Sequence, residues 1–219
     1  ASDLIYHEVQ RFKTLTGKPV FSSILDLGAS GAYYIAMASD QVVAHPTSVI
    51  GSIGVIMLHV NFQGLMEKFG VGAESIKSGI NKDLGSPVKP LSTEGRGILQ
   101  GIIDDMYGRF LQVIAGQRKH LTKDQIKTLA DGRVYTASQA KENGLIDEIA
   151  YLEDVIEMSK ASAGIREAQV ILYKRPGEYK NNIYSRNFSG GIDPLAAWGL
   201  ETKQLFRGTS PHFLYLWMP

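Results

Sequence analysis

The sequence predicts an α/β fold with a mainly parallel sheet and flanking helices. Two patterns carry this reading. Short apolar runs bounded by glycine or proline recur along the chain, and between them lie longer stretches with apolar residues at helical spacing. A chain of 219 residues with 44% apolar content is also long enough to bury one sizeable core.

The elements follow in order. Ser2 and Asp3 can cap a first helix, in which Leu4, Ile5, Val9, Phe12 and Leu15 recur at helical spacing until Gly17. Residues 19–27 read as a short buried strand, 28–31 as a turn and 32–39 as a buried helix of small residues. Gln41–Ala44 reads as a strand stopped at Pro46. Gly51, Ser52, Ile53 and Gly54 form a tight turn before a third strand at 55–60. A short helix at 63–69, closed by Gly70, precedes a fourth strand at 73–77. Residues 78–91 are rich in Gly, Pro, Asn and Lys and read as a loop. A long helix follows, its apolar face made by Ile98, Ile102, Met106, Phe110, Val113 and Ile114. Thr122 caps a further helix, and residues 138–143 form another, stopped at Gly144.

These elements make one domain over residues 1–164, and residues 165–219 form a C-terminal extension. Within it, residues 169–173 suit a last strand. From Pro176 on, Gly, Asn, Ser and Pro predict an extended, partly disordered tail. Its apolar end, residues 213–219, suits docking in a groove of its own or a neighbouring protomer, or contact with a membrane surface.

Composition narrows the function. Net charge is +1, so no strong field points to nucleic acid or to anionic lipid. The absence of cysteine excludes disulfides, thiolate catalysis and Cys-based metal sites, and leaves the compartment open. No apolar run approaches the roughly 20 residues that span a bilayer. The chain begins without Met, directly in a helical pattern. That fits a fragment whose upstream strand, anchor or targeting segment lies outside it.

The first residue with chemical promise is Ser30. It lies between small residues, after a strand and before a helix, where Gly28 and Gly31 permit a tight turn. A hydroxyl there projects beside the first N–H groups of the helix, which can stabilise an oxyanion. The geometry is that of a nucleophile elbow without its G-x-S-x-G signature. The alternative is that Ser30 merely caps the helix. A serine nucleophile also needs a base. None of the five histidines, His7, His45, His59, His120 and His212, has an acidic neighbour in a suggestive setting. A lysine removed from water can serve instead, because lost solvation lowers its pKa. Lys82 is the candidate, although a loop lysine is ordinarily solvated and inert. Ser52 could hydrogen-bond a catalytic amine, or it could simply belong to a turn that needs two glycines.

Taken together, these segments resemble the signal peptide peptidase A family, membrane-associated bacterial peptidases of the ClpP/crotonase superfold. The resemblance covers about residues 1–160. It rests on Ala29-Ser30-Gly31-Ala32-Tyr33-Tyr34, Ile50-Gly51-Ser52-Ile53-Gly54, Ile76-Lys77-Ser78-Gly79 through Lys82-Asp83, Asp131-Gly132-Arg133-Val134-Tyr135, and Gly144-Leu145-Ile146-Asp147. It implies a serine endopeptidase with a Ser–Lys dyad and no cofactor. Ser30 would be the nucleophile, Lys82 the base and Ser52 the serine that hydrogen-bonds the lysine. The Gly31 amide would supply half of the oxyanion hole, the other half coming from an upstream P-G-G segment that this chain lacks. It further implies peptide substrates such as signal-peptide remnants, a homo-oligomeric ring in which Ser and Lys can come from neighbouring protomers, and attachment to the bacterial cytoplasmic membrane with an extracytoplasmic catalytic domain. Ala32 departs from the family's usual second glycine. A crotonase-type acyl-CoA enzyme and an inactive oligomeric scaffold of the same fold are the competing readings.

Overall fold

The structure, a computed structural model, describes residues 1–173. Ala1–Arg166 form one compact unit and Glu167 opens a second. The tail read from Pro176, with its apolar end at 213–219, lies outside the described residues.

The first unit is a mixed α/β structure whose elements run α1 (Ser2–Thr16), β1 (Phe21–Ile24), β2 (Leu27–Ala29), α2 (Gly31–Ala36), β3 (Gln41–Ala44), β4 (Val49–Gly51), α3 (Gln63–Lys68), α4 (Thr93–Gln117), α5 (Lys123–Leu129), β5 (Val134–Thr136), α6 (Ala137–Glu142), β6 (Glu148–Ile149) and α7 (Leu152–Ala163). The strands form two small sheets, ordered β1-β3-β6 and β2-β4-β5. All pairings are parallel except β4 with β5. The run read as one strand at 19–27 breaks at Leu25 and Asp26 and changes sheet there. Gly28 sits where the Ile24 side chain folds back, and a β-carbon at Gly28 would lie 2.4 Å from Ile24 Cδ1. The neighbouring chain makes the same step between β3 and β4. The His45 N–H donates to the Ile24 carbonyl at 2.8 Å, and the Val49 N–H to the Asp26 carbonyl at 2.9 Å. A two-stranded parallel ribbon thus passes from one sheet into the other and delivers the ends of β2 and β4 side by side.

Three expected strands do not form. Residues 55–60 keep only a single bridge at Ile56, and 73–77 and 169–173 have no regular structure. Their apolar residues suit a strand, but a strand exists only where another backbone pairs with it, and Ile76, Val170 and Ile171 stand exposed. Conversely β4, β5, β6 and α7 are present without having been read from the sequence, the first three because two or three residues carry no periodicity. The loop at 78–91 and the Thr122 cap are as expected, Thr122 forming a full capping box with Gln125. The long helix buries Phe110, Val113 and Ile114 in the main core and leaves Ile98 and Ile102 exposed, while Gly95 and Leu99 in its first half are buried as well.

That core centres on α2, whose Tyr33 and Tyr34 are fully buried with Met37, Val42, Ile50, Ile53 and Phe110. The Tyr33 hydroxyl donates to the Leu145 carbonyl at 2.6 Å, and burial pushes its pKa up. Arg118, itself buried, pairs at 2.6 Å with Asp147, which also accepts the Val42 N–H. The first helix starts from Ala1 without a side-chain cap. Asp3 instead reaches across to accept from the Tyr34 hydroxyl and, at 3.2 Å, from Arg109 on α4.

The Tyr34 hydroxyl, with Arg109, holds the Asp3 carboxyl below its ordinary range. The folded state therefore gains stability above the unfolded carboxyl pKa and loses it as pH falls through the folded one. Asp3→Asn should cost about 0.5 kcal/mol at neutral pH, a small figure because the pair is half exposed. The cost should vanish at strongly acidic pH, as read from urea midpoints of both proteins. A pH-independent difference would refute this.

Candidate active site

Parallel pairing of β2 with β4 sets Ala29 opposite Gly51, so the residues that follow each strand, Ser30 and Ser52, emerge at one level. The Ser30 N–H donates to the Gly51 carbonyl at 2.7 Å, and the Ser52 N–H to the Arg133 carbonyl at 2.8 Å. Ser30 and Ser52 are also the two non-glycine residues with positive φ among those described, at 52° and 47°. Such backbone costs of order 1–3 kcal/mol and persists only where the surroundings impose it, a condition met most often at functional sites.

The Ser30 side chain does not cap α2, so the capping alternative fails. The residue is 1% exposed, and its Oγ has no hydrogen-bond partner among the described residues. A buried hydroxyl left so costs about 1–3 kcal/mol. Gly31, also buried, opens α2, so its N–H is one of the first-turn donors that no intrahelical carbonyl can take. The Tyr34 N–H closes the first turn onto the Ser30 carbonyl at 2.9 Å. Ala32 is helical and exposed, so its β-carbon stands clear of the core.

Ser52 is half-buried beside this turn. Gly51 is the glycine that the second turn requires. Its φ is 106°, and a β-carbon would lie 2.8 Å from Tyr135 Cδ2 and 2.9 Å from the Arg133 carbonyl oxygen. Gly54 has no such constraint.

Lys82 is not joined to these residues within the single chain. It is exposed, on a turn closed by its own N–H to the Gly79 carbonyl at 3.1 Å. The bare Ser30 Oγ excludes a hydrogen bond from Lys82, and equally from any described histidine. His45 meets Thr47, His59 the Ser86 carbonyl and His120 the Gly144 carbonyl, so none is set as the serine's base. Arg133 and Tyr135 support the site although sequence reasoning assigned them no role. Their signal was the Asp131-Gly132-Arg133 turn, whose Arg133 guanidinium pairs with Asp131 and holds that carboxyl down at about 2.

Comparison with known proteins bears on this geometry. The family model described as peptidase family S49 matches residues 13–166. A protein of Enterococcus faecium named for signal peptide peptidase SppA is 40% identical over 82% of this chain and 50% of its own length. A protein of Methanocaldococcus jannaschii named as a protease is 36% identical over 71% of this chain and 50% of its own. The chloroplastic serine protease SPPA of Arabidopsis thaliana is 32% identical over 84% of this chain and 28% of its own. The chain spans about half the length of the first two and little more than a quarter of the third.

Gly51→Ala should destabilise the protein by about 2–4 kcal/mol, since both backbone angle and space are denied to it. Chemical denaturation of the two proteins reads this directly, and a loss under 0.5 kcal/mol would show that the turn relaxes freely.

Proposed function

The chain belongs to peptidase family S49, and from that premise we propose that it is the catalytic part of a serine endopeptidase with a Ser–Lys dyad, acting on apolar peptides such as signal-peptide remnants near a membrane. The observation that carries the reading is the Ser30 hydroxyl, buried, without a partner among the described residues and held on strained backbone at the start of a helix. Proteins named as proteases among the relatives support it, as does the match of Lys82 and Ser52 to the family's motifs.

In the proposed cycle Ser30 Oγ attacks a peptide carbonyl while the neutral Lys82 amine takes its proton. The developing oxyanion accepts from the Gly31 N–H and from an upstream segment outside this chain. The intermediate collapses to an acyl-enzyme as protonated Lys82 gives its proton to the leaving amine. Water, deprotonated by Lys82, then releases the acid. Ser52 steadies the lysine by hydrogen bonding to its amine.

We place Lys82 on a neighbouring copy's Ser30, within a homo-oligomeric ring of ClpP/crotonase-like protomers. The exposed position of Lys82 supports this, as do the uncovered Leu58, Phe69, Ile76 and Ile80 in the segment that carries it. The apolar face of α1 adds a groove of about 490 Å³ lined by Leu4, Ile5, Val9 and Phe12. Burial in such an assembly would remove the amine from water and favour its neutral form. Among the described residues no helix is long and apolar enough to cross a membrane. We further propose attachment to the bacterial cytoplasmic membrane, with an extracytoplasmic catalytic domain, and an accessory role for residues 165–219.

Ser30→Ala and Lys82→Ala should each lower hydrolysis of an apolar peptide ester by at least about a thousandfold. Mixing the two inactive variants as refolded co-assemblies should restore activity, because a Ser30 from one copy then meets a Lys82 from another. Activity that survives either substitution would sink the dyad, and mixtures that stay inactive would sink the pairing between copies.

A further inference from the structure

Two cations converge on one carboxylate beside Lys82. Lys77 Nζ lies 2.8 Å and Lys89 Nζ 2.6 Å from the same Asp83 oxygen, and Lys77 also donates to the Ile80 carbonyl at 3.0 Å. The Asp83 side chain is 14% accessible, although residues 77–82 are all exposed. Lys77 first, then Lys89, hold its carboxyl far below the ordinary range. Successive turns tie the backbone around it, with the Leu84 N–H on the Asn81 carbonyl and the Ser86 N–H on the Asp83 carbonyl at 3.1 and 3.0 Å. Lys82 rides on this knot. Among the described residues no carboxylate forms an ion pair with its amine.

Other charged groups adjoin the knot. From the preceding segment His59 meets the Ser86 carbonyl. From α4, where Leu84 packs against Gly95, come Glu94 and Arg96, both exposed in the first turn. The carboxylate nearest to Lys82 in sequence is nonetheless Asp83. A free Asp83 would favour the ammonium form, whereas nearby cations favour the neutral amine that a base requires.

Resting on the dyad reading, we propose that Lys77 and Lys89 are positioning residues which together occupy Asp83, keep it from pairing with Lys82, and so leave the base without a counter-ion. Both lysines keep the charge pattern of the turn while giving up their own freedom. Met in their place would free Asp83 to pair with Lys82.

The test is the pH dependence of kcat/KM for an apolar peptide ester, measured on the assembled protein. In Lys77→Met/Lys89→Met the acid limb should move up by about one pH unit, a roughly tenfold loss on that limb, with activity recovering at alkaline pH. Adding Asp83→Asn should move the limb back, and Lys77→Arg/Lys89→Arg should keep the wild-type profile. An unmoved limb, or a loss at every pH that Asp83→Asn does not rescue, overturns the proposal while leaving the dyad intact. Activity undiminished in Lys82→Ala overturns the dyad and this proposal with it.

Discussion

The hydrogen bond from the Ser30 N–H to the Gly51 carbonyl ties together two strand ends that would otherwise splay. Each strand is only three residues long in its sheet, so little of the ladder remains to fix the chain beyond it. The contact makes the turn after β2 answer to the turn after β4. The next link, from the Ser52 N–H to the Arg133 carbonyl, makes both answer to β5. Strain at Ser30 and Ser52 follows from these links, since the backbone must leave its strands and still satisfy its donors.

What offsets that strain is the packing behind it. Tyr33 and Tyr34 follow Ser30 by one turn and are fully buried, and Ile50 and Ile53, which flank Gly51 and Ser52 in sequence, belong to the same buried cluster. Burying side chains of this size gains roughly 1.5–3 kcal/mol each, enough to outweigh a few costly dihedral angles. Ser30 is thereby held by the core packed behind it. Apolar area presses the helix down, and the Tyr33 hydroxyl on the Leu145 carbonyl fixes its rotation.

Much of this was legible in the residues. The strand–turn–helix around Ser30 could be read because glycine, small residues and an apolar helix follow one another in a pattern with few physical solutions. The loop carrying Lys82 was legible from its Gly, Pro and Asn content, and the Thr122 cap from its hydroxyl at the start of a helical pattern. The segment at 55–60 misled because its composition suits a strand, while pairing is decided by distant backbone that no local window contains. Strands β5 and β6 stayed hidden for the converse reason: they are too short to show a period and exist because β4 and β3 await them. At the site, the bond between Ser30 and Gly51 is likewise a consequence of register. The convergence of Lys77 and Lys89 on Asp83 depends on turns whose closure a linear spacing does not reveal.

Each sheet takes its third strand from far along the chain, β5 at Val134–Thr136 and β6 at Glu148–Ile149. A ribosome that has made only the first half of the molecule has therefore released the serine but neither of the strands that brace it. The carbonyl of Arg133 and that of Leu145 arrive late, and closing such long loops is slow. The turn that holds Ser30 is consequently completed only after β5 and β6 have been made, and a nascent chain cut short before residue 149 would carry Ser30 on backbone with no reason to stay strained.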